Sequence, residues 1–267
     1  MNVAFAIAKG TRRAALVLAV GTAIAVAGCD AEPIALGPDP DLLWWTDFES
    51  CSLGDWNIAW EAGGGQLSTV ASPVRSGRCA VRSQVVPQPA GTISGAMLID
   101  PTGSIPSDAY QSAWFFVPEP IGDVDYWVFF KLGSRKVADD AATAVDVWDF
   151  NLQPTGAGGL EIAVIPRTSG VTAPPALASP AVPIGRWFLV ETHLRASPDP
   201  DGVLQLWLDD RLVYERRGPT APSTAVSWGI GGGCEQLTSP AAVVGIDDAA
   251  VSTRRLGPNF PVFTRAR

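Results

Sequence analysis

Beyond residue 42, short apolar runs alternate along the chain with clusters of Gly, Pro, Ser and Asp. The runs are rich in Val, Ile, Phe and Trp, and apolar residues never recur at helical spacing for long enough to predict a helix. This pattern predicts an all-β fold, a two-sheet antiparallel β-sandwich. Two segments, Pro166–Gly185 and Gly218–Ser227, lack a strand pattern and are predicted to be surface loops. The predicted strands are Leu43–Phe48, Ala80–Val86, Ser112–Val117, Tyr126–Leu132, Ala144–Leu152, Leu160–Ile165, Trp187–Arg195, Val203–Leu208, Leu212–Arg216 and Val243–Ser252.

The strands Trp187–Arg195 and Val203–Leu208 show the alternation most clearly. Successive side chains of a strand point to opposite faces, so one set of residues in each strand is expected to face the core. The expected core residues are Phe188, Val190, Thr192, Leu194, Leu204, Leu206 and Leu208. The residues expected on the opposite face include Glu191, His193, Arg195, Gln205 and Trp207. Paired as a hairpin, the two strands would form one polar and aromatic surface, with Asp149, Asn151 and Lys131 beside it.

The chemistry of this surface suits a saccharide. The C–H face of a pyranose ring stacks on an indole such as that of Trp207, and sugar hydroxyls pair with planar donors and acceptors. The sequence therefore predicts that these residues bind a glycan. A merely solvated sheet face is the alternative, and the pattern alone leaves it open.

An export signal precedes the strands. Lys9, Arg12 and Arg13 come before an apolar run that ends at Ala27, a run too short for a spanning helix of about 20 apolar residues. The residues Val26-Ala-Gly-Cys29 that close the run resemble the lipobox of bacterial lipoproteins. This resemblance implies cleavage before Cys29, acylation of its thiol, and attachment of the protein to a membrane of the bacterial cell envelope.

An ordinary secretory signal with an incidental cysteine is the alternative to a lipobox. Asp30 resembles an inner-membrane retention signal, but sorting rules differ between lineages, so the inner and outer membranes both remain open. The predicted domains are a signal peptide over 1–28, a lipidated tether over 29–42, a sandwich domain over 43–257 and a tail over 258–267.

Charge excludes one class of partner. The full chain carries a net charge of −8, and cleavage before Cys29 removes three basic residues and no acid, which leaves −11. Such a protein repels nucleic-acid phosphates, and no basic cluster reverses the repulsion locally. We therefore expect no nucleic-acid partner.

The segment Gly185–Tyr214 resembles the hairpin of concanavalin A-like lectin and glucanase jelly rolls, a group that includes laminin-G-like domains and heparin-lyase-type polysaccharide lyases. Three other segments resemble the opening and closing strands of such jelly rolls: Asp47–Trp56, Ser76–Ala80 and Gly245–Ser252. The resemblance spans most of the mature chain and implies a jelly-roll sandwich.

The catalytic patterns of these jelly rolls are only partly present. Laminarinase-like hydrolases carry a Glu-x-Asp-x-x-Glu strand, and its absence here argues against retaining glycanase chemistry. Alginate-lyase-like members carry a Gln-x-His strand with a Tyr and an Arg, and the nearest match is Glu191-Thr-His193. A lyase would therefore use His193, Arg195 and Lys131. His193 is the only histidine, which excludes a multi-histidine zinc site.

The resemblance also implies two structural features. The segments after Phe-Glu and after Ser-Gly lie near each other in such jelly rolls, which implies a Cys51–Cys79 disulfide that leaves Cys234 free. Three unpaired, buried thiols are the alternative. In similar carbohydrate-binding jelly rolls, acids that match Glu49 and Asp247 hold a structural Ca²⁺. Acids that only cap strand ends are the alternative there.

Together these observations favour a lipid-anchored, extracytoplasmic protein that binds a glycan without cleaving it. A polysaccharide lyase that acts on a uronate-containing glycan is the first alternative. A purely structural envelope protein is the second.

Overall fold

The computed structural model describes residues 40–89, 91–118, 126–135, 144–156, 158–168, 171–235, 237 and 241–260, with backbone alone at 135 and 144–146. These residues form fifteen β-strands and no helix, which confirms the predicted all-β class. No helix in this part of the chain has the length and apolarity needed to cross a membrane. The predicted signal peptide, Cys29 with most of the tether, and the end of the tail lie outside the described residues.

The strands are β1 Leu42–Thr46, β2 Trp56–Ala62, β3 Gln66–Val70, β4 Ala80–Val85, β5 Ser94–Pro101, β6 Asp108–Phe116, β7 Trp127–Arg135, β8 Ala144–Pro154, β9 Leu160–Pro166, β10 Ala181–Val182, β11 Trp187–Arg195, β12 Val203–Leu208, β13 Arg211–Arg217, β14 Val226–Cys234 and β15 Ala242–Ser252.

The strands form two antiparallel sheets. Sheet A has eight strands in the order β13-β12-β11-β6-β15-β4-β3, with β1 also paired to β15. Sheet B has seven strands in the order β10-β9-β8-β7-β14-β5-β2. The predicted two-sheet antiparallel sandwich is therefore confirmed.

The core lies between the two sheets and is built by strand alternation. Phe115 and Phe188 of sheet A and Phe130, Phe150 and Trp228 of sheet B are fully buried and belong to one hydrophobic cluster. The seven core residues predicted for β11 and β12 are all buried as well. Burial of one large apolar side chain contributes about 1.5–3 kcal/mol, so this continuous aromatic layer is the main source of stability.

Both predicted surface loops are partly wrong: Pro166–Gly185 contains β10, which pairs with β9, and part of Gly218–Ser227 is buried. Thr220 is 1 % exposed, and its hydroxyl donates to the Arg195 carbonyl at 2.6 Å and accepts from the Ser197 amide at 3.1 Å. The segment 218–225 therefore packs under the end of β11, because its backbone partners lie there, and β14 begins directly after it.

A disulfide joins Cys51 to Cys79, and the buried Cys234 lies outside this bond, its Sγ donating to the Tyr126 carbonyl at 3.0 Å. Both parts of the prediction are confirmed. The bond ties the segment after β1 to the start of β4 across 28 positions of sequence.

Candidate functional site

The residues predicted on one face of the hairpin do share a face, the outer face of sheet A. Glu191 lies opposite Trp207 and His193 lies opposite Gln205 in the β11–β12 register. The expected exposure is wrong for two of these residues, because Trp207 is only 9 % exposed and Glu191 is fully buried, whereas Arg195 is exposed. The cause is the segment after β15: the Arg255 guanidinium lies 5.1 Å from the centre of the Trp207 ring. Trp207 therefore has no open face on which a sugar ring could stack.

Glu191 accepts hydrogen bonds from the same segment. The Leu256 amide donates to Oε1 at 2.7 Å, and Arg255 Nε donates to Oε2 at 3.1 Å. Burial raises the pKa of Glu191 above its ordinary value, and the Leu256 amide and Arg255 oppose that rise. These contacts make Glu191 the anchor of residues 255–257.

His193 is enclosed by protein partners. Its Nε2 lies 2.7 Å from Asp108 Oδ1, its Nδ1 lies 3.2 Å from Gln205 Oε1, and its ring stacks on Tyr110 at 4.3 Å. Arg195 also donates to Asp108, at 2.8 Å. Because both ring nitrogens are engaged, His193 has no free nitrogen with which to take a proton from a substrate.

The structure places Lys131, Asp149 and Asn151 on the other sheet, contrary to the expectation that they lie beside the hairpin. Strand β8 pairs with β7 and β9 inside sheet B, so its outward residues face away from sheet A. The predicted lyase set of His193, Arg195 and Lys131 is therefore divided between the two sheets. Its members lie on opposite sides of the sandwich.

Four polar residues form a group on the outer face of sheet B, which we call the sheet B charge cluster: Lys131, Asp149, Asn151 and Arg167. Lys131 lies opposite Asp149, with Nζ 3.8 Å from Oδ1, and Arg167 Nε donates to Oδ2 at 2.6 Å. The side chain of Asp149 is 1 % exposed, whereas those of Lys131 and Arg167 are 24 % and 49 % exposed. A buried carboxylate thus holds two cations that both reach solvent.

Arg167 was not among the predicted site residues because it follows β9, inside a predicted loop. The alternation of β9 contains the missing signal: Glu161, Ala163 and Ile165 point outward, and the same period extended by one step puts Arg167 on that face.

Asn151 and Gly229 complete the surroundings of the cluster. The Asn151 Oδ1 is buried without a hydrogen-bond partner, which costs about 1–3 kcal/mol unless a ligand or solvent donates to it. Lys131 has Asp149 as its neighbour on one side and Gly229 on the other. Gly229 in turn lies opposite Ile99, so this row of the sheet has no side chain between Lys131 and Ile99. The face presents two partly exposed cations, and the Met97 side chain lies beside Gly229, with Sδ 3.2 Å from where a Cβ on Gly229 would stand. The face can pair with a carboxylate and with hydroxyl groups of one ligand.

The acids predicted to hold calcium bind backbone amides. Glu49 accepts from the Arg78 amide at 2.8 Å, and Asp247 Oδ2 accepts from the Arg75 amide at 2.9 Å. Within the described residues, no group of three or more acids, histidines or cysteines is placed to hold a metal ion. These contacts match the alternative in which both acids only cap strand ends. The calcium site stays a prediction.

The packing around Asp247 leads to a prediction about pH. Burial, followed by the charge of Asp248, raises the pKa of Asp247 to about 8. An aspartate in the unfolded chain titrates at about pH 4. Between about pH 4 and pH 8 the folded state therefore holds a proton that the unfolded chain has lost. Stability should therefore fall as the pH rises through this range. We expect thermal melting with chelator present to show this fall, and Asp247→Asn to reduce it.

The exposed Asp199 provides the matched control. Asp199→Asn should leave the pH dependence of melting as it is in the wild type. An unchanged pH dependence in Asp247→Asn would show that Asp247 is ionised in the folded protein.

No family model matches the chain, and no curated protein matches its sequence. Solved structures do match. The endo-β-1,4-glucuronan lyase from the fungus Trichoderma reesei has a TM-score of 0.61 at 15 % identity, over 81 % of this chain and 97 % of that one. Cellulose induced protein, Cip1, has a TM-score of 0.56 at 18 % identity, over 80 % and 99 %. Alginate lyase vAL-1 from Chlorella virus has a TM-score of 0.52 at 12 % identity, over 79 % and 99 %. At these identities the likeness shows the fold: the chain is a jelly-roll β-sandwich of the kind found in polysaccharide lyases.

Proposed function

We propose that the protein is a polysaccharide lyase that binds a uronate-containing glycan along the outer face of sheet B. The observation that carries this proposal is the sheet B charge cluster. On a chain of net charge −8, Lys131 and Arg167 present two partly exposed cations on one sheet face. Local positive charge on an acidic protein suits an anionic polymer. The similarity to lyases of glucuronan and of alginate, both uronate polymers, supports the same class of substrate.

The residues of the cluster divide the chemistry of β-elimination between them. Arg167 pairs with the uronate carboxylate and neutralises it, which acidifies the C5 proton. Lys131 as the neutral amine takes the C5 proton. The electron pair forms a C4–C5 double bond as the C4–O4 bond breaks. The Lys131 ammonium then returns the proton to the departing O4.

The test is the full-chain protein incubated with glucuronan and with alginate, with cellulose as the uncharged control. We expect near-ultraviolet absorbance from the unsaturated product on at least one uronate polymer and none on cellulose. Release of shorter chains without this absorbance would contradict elimination. The absence of any cleavage would contradict the lyase proposal.

Glycan binding without cleavage is the second candidate function, and one observation favours it. Lys131 Nζ lies 3.8 Å from the buried Asp149 carboxylate, so the lysine is held in an ion pair within the protein. In this case the same face would retain uronate oligosaccharides and release no unsaturated product. Affinity electrophoresis in gels containing the same polymers, run beside the assay, separates the two functions.

We further propose that the protein is lipid-anchored through Cys29, as the lipobox resemblance implies. Cys29→Ala removes the thiol that would be acylated, so we expect the variant to leave the membrane fraction or to remain unprocessed. Fractionation of bacteria that express the two forms measures this. Wild-type protein found entirely in the soluble fraction would contradict the anchor.

A further inference from the structure

Two arginines differ from the others in the described part of the chain. Among the arginines whose side chains the structure describes, only Arg82 and Arg186 make neither a hydrogen bond nor an ion pair. Arg82 is partly exposed and Arg186 is exposed. On a chain of net charge −8, guanidinium groups left without a partner are available to an anionic ligand.

Arg82 lies on the outer face of sheet A. The next residue, Ser83, is fully buried and donates to the Ala96 carbonyl of sheet B at 2.6 Å, so Arg82 points the other way. Arg82 lies opposite Gly245 in the β4–β15 register, and Gly245 lies opposite Phe116. Phe116 in turn lies opposite Trp187. One row across four strands therefore reads Trp187, Phe116, Gly245, Arg82.

The two aromatic residues of this row form a partly exposed pair. Their ring centroids are 5.5 Å apart, with the planes tilted by 48°. A Cβ on Gly245 would stand 3.2 Å from Phe116 Cβ and 3.4 Å from Trp187 Cη2. Glycine at this position thus lets the edge of the indole reach across the row. Unlike Trp207, Trp187 has no cation stacked on its ring among the described residues.

We propose that Trp187, Phe116 and Arg82 form a second saccharide site, on the side of the sandwich opposite the sheet B charge cluster. The indole supplies a flat apolar surface for a sugar ring, and Arg82 pairs with the carboxylate of a uronate. The choice of uronate as the sugar and the role between cleavage events rest on the proposed function. Two sites on opposite faces hold two separate stretches of polymer, so the second site keeps the protein on its substrate between cleavage events.

Titration calorimetry with a tetrasaccharide of β-1,4-linked glucuronate tests the proposal. All proteins carry Lys131→Gln so that the probe stays intact, and Trp187→Ala and Arg82→Gln are added singly. We expect Trp187→Ala to weaken binding at the second site about tenfold, the effect of losing roughly 1.4 kcal/mol. Arg82→Gln should weaken binding of the uronate tetrasaccharide and leave that of the matching glucose tetrasaccharide unchanged. Trp187→Phe, which keeps a ring, should retain part of the affinity.

Other outcomes would overturn the second site. These are isotherms that neither variant changes and the absence of uronate binding in the Lys131→Gln parent. A lyase assay of Trp187→Ala with Lys131 intact separates this proposal from the proposed function. If wild type and variant both lack turnover but differ in tetrasaccharide affinity, the proposed function fails and the second site stands.

Discussion

Replacement of Lys131 by glutamine is expected to lower turnover of a uronate polymer by about a hundredfold or more, the usual contribution of a positioned general base. Glutamine keeps the length and polarity of the side chain but cannot take the C5 proton. The measurement is the initial rate of near-ultraviolet absorbance with the substrate saturating. Arg167→Gln should lower kcat as well as raise KM, because Arg167 binds the carboxylate in the ground state and also neutralises the charge that develops on it in the transition state.

His193→Gln is the matched control for this prediction. His193 lies on the opposite sheet with both nitrogens bonded to protein groups, so its replacement should leave turnover unchanged. Loss of activity in His193→Gln with full activity in Lys131→Gln would overturn the assignment. The chemistry would then belong to sheet A, where Tyr110, Asp108 and Arg195 surround the histidine.

Removal of the Cys51–Cys79 disulfide should have the largest effect on stability. The bond closes a loop across 28 positions of sequence, and the chain-entropy model gives about 3–4 kcal/mol for a loop of this length. In urea denaturation, the Cys51→Ser, Cys79→Ser double variant should unfold at a lower midpoint concentration than the wild type, by an amount that corresponds to this loss of stability. The slope of the transition measures any change in the unfolded state.

The single variants serve as internal controls. Either serine substitution breaks the same bond, so Cys51→Ser, Cys79→Ser and the double variant should lose nearly equal amounts of stability. Additive losses would assign the effect to the packing of each side chain. A wild-type midpoint that reductant does not change would show that the bond contributes little.

The sequence predicted those strands in which alternation or an apolar run is strong. The ten predicted strands correspond in position to β1, β4, β6 to β9, β11 to β13 and β15. Strand β14 was missed because Gly229, Gly231, Gly232 and Gly233 interrupt it, and glycine normally weakens a strand. In the folded protein β14 lies between β7 and β5, where both neighbours supply backbone partners and packing. Pairing of this kind is not visible in a local pattern.

The candidate site was harder to predict for the same reason. Alternation tells which residues of one strand share a face, and it grouped Glu191, His193, Gln205 and Trp207 correctly. It does not tell which sheet a strand joins, so Asp149 and Asn151 were placed beside the wrong partner. The cover over Trp207 comes from Arg255, 48 positions along the chain in an irregular segment, and no period encodes such a contact.

The segment that follows β15 has a consequence for any shortened form of this protein. Proteolysis after Ser252 would remove Arg255 and Leu256 together and leave Glu191 a desolvated carboxylate without these two hydrogen-bond donors. The Trp207 indole beside it would be uncovered at the same moment. The cleaved protein would thus have a less stable β11–β12 hairpin and an apolar surface exposed to solvent. Such a fragment would be prone to self-association, because these few irregular residues cover the apolar surface of sheet A in the intact protein.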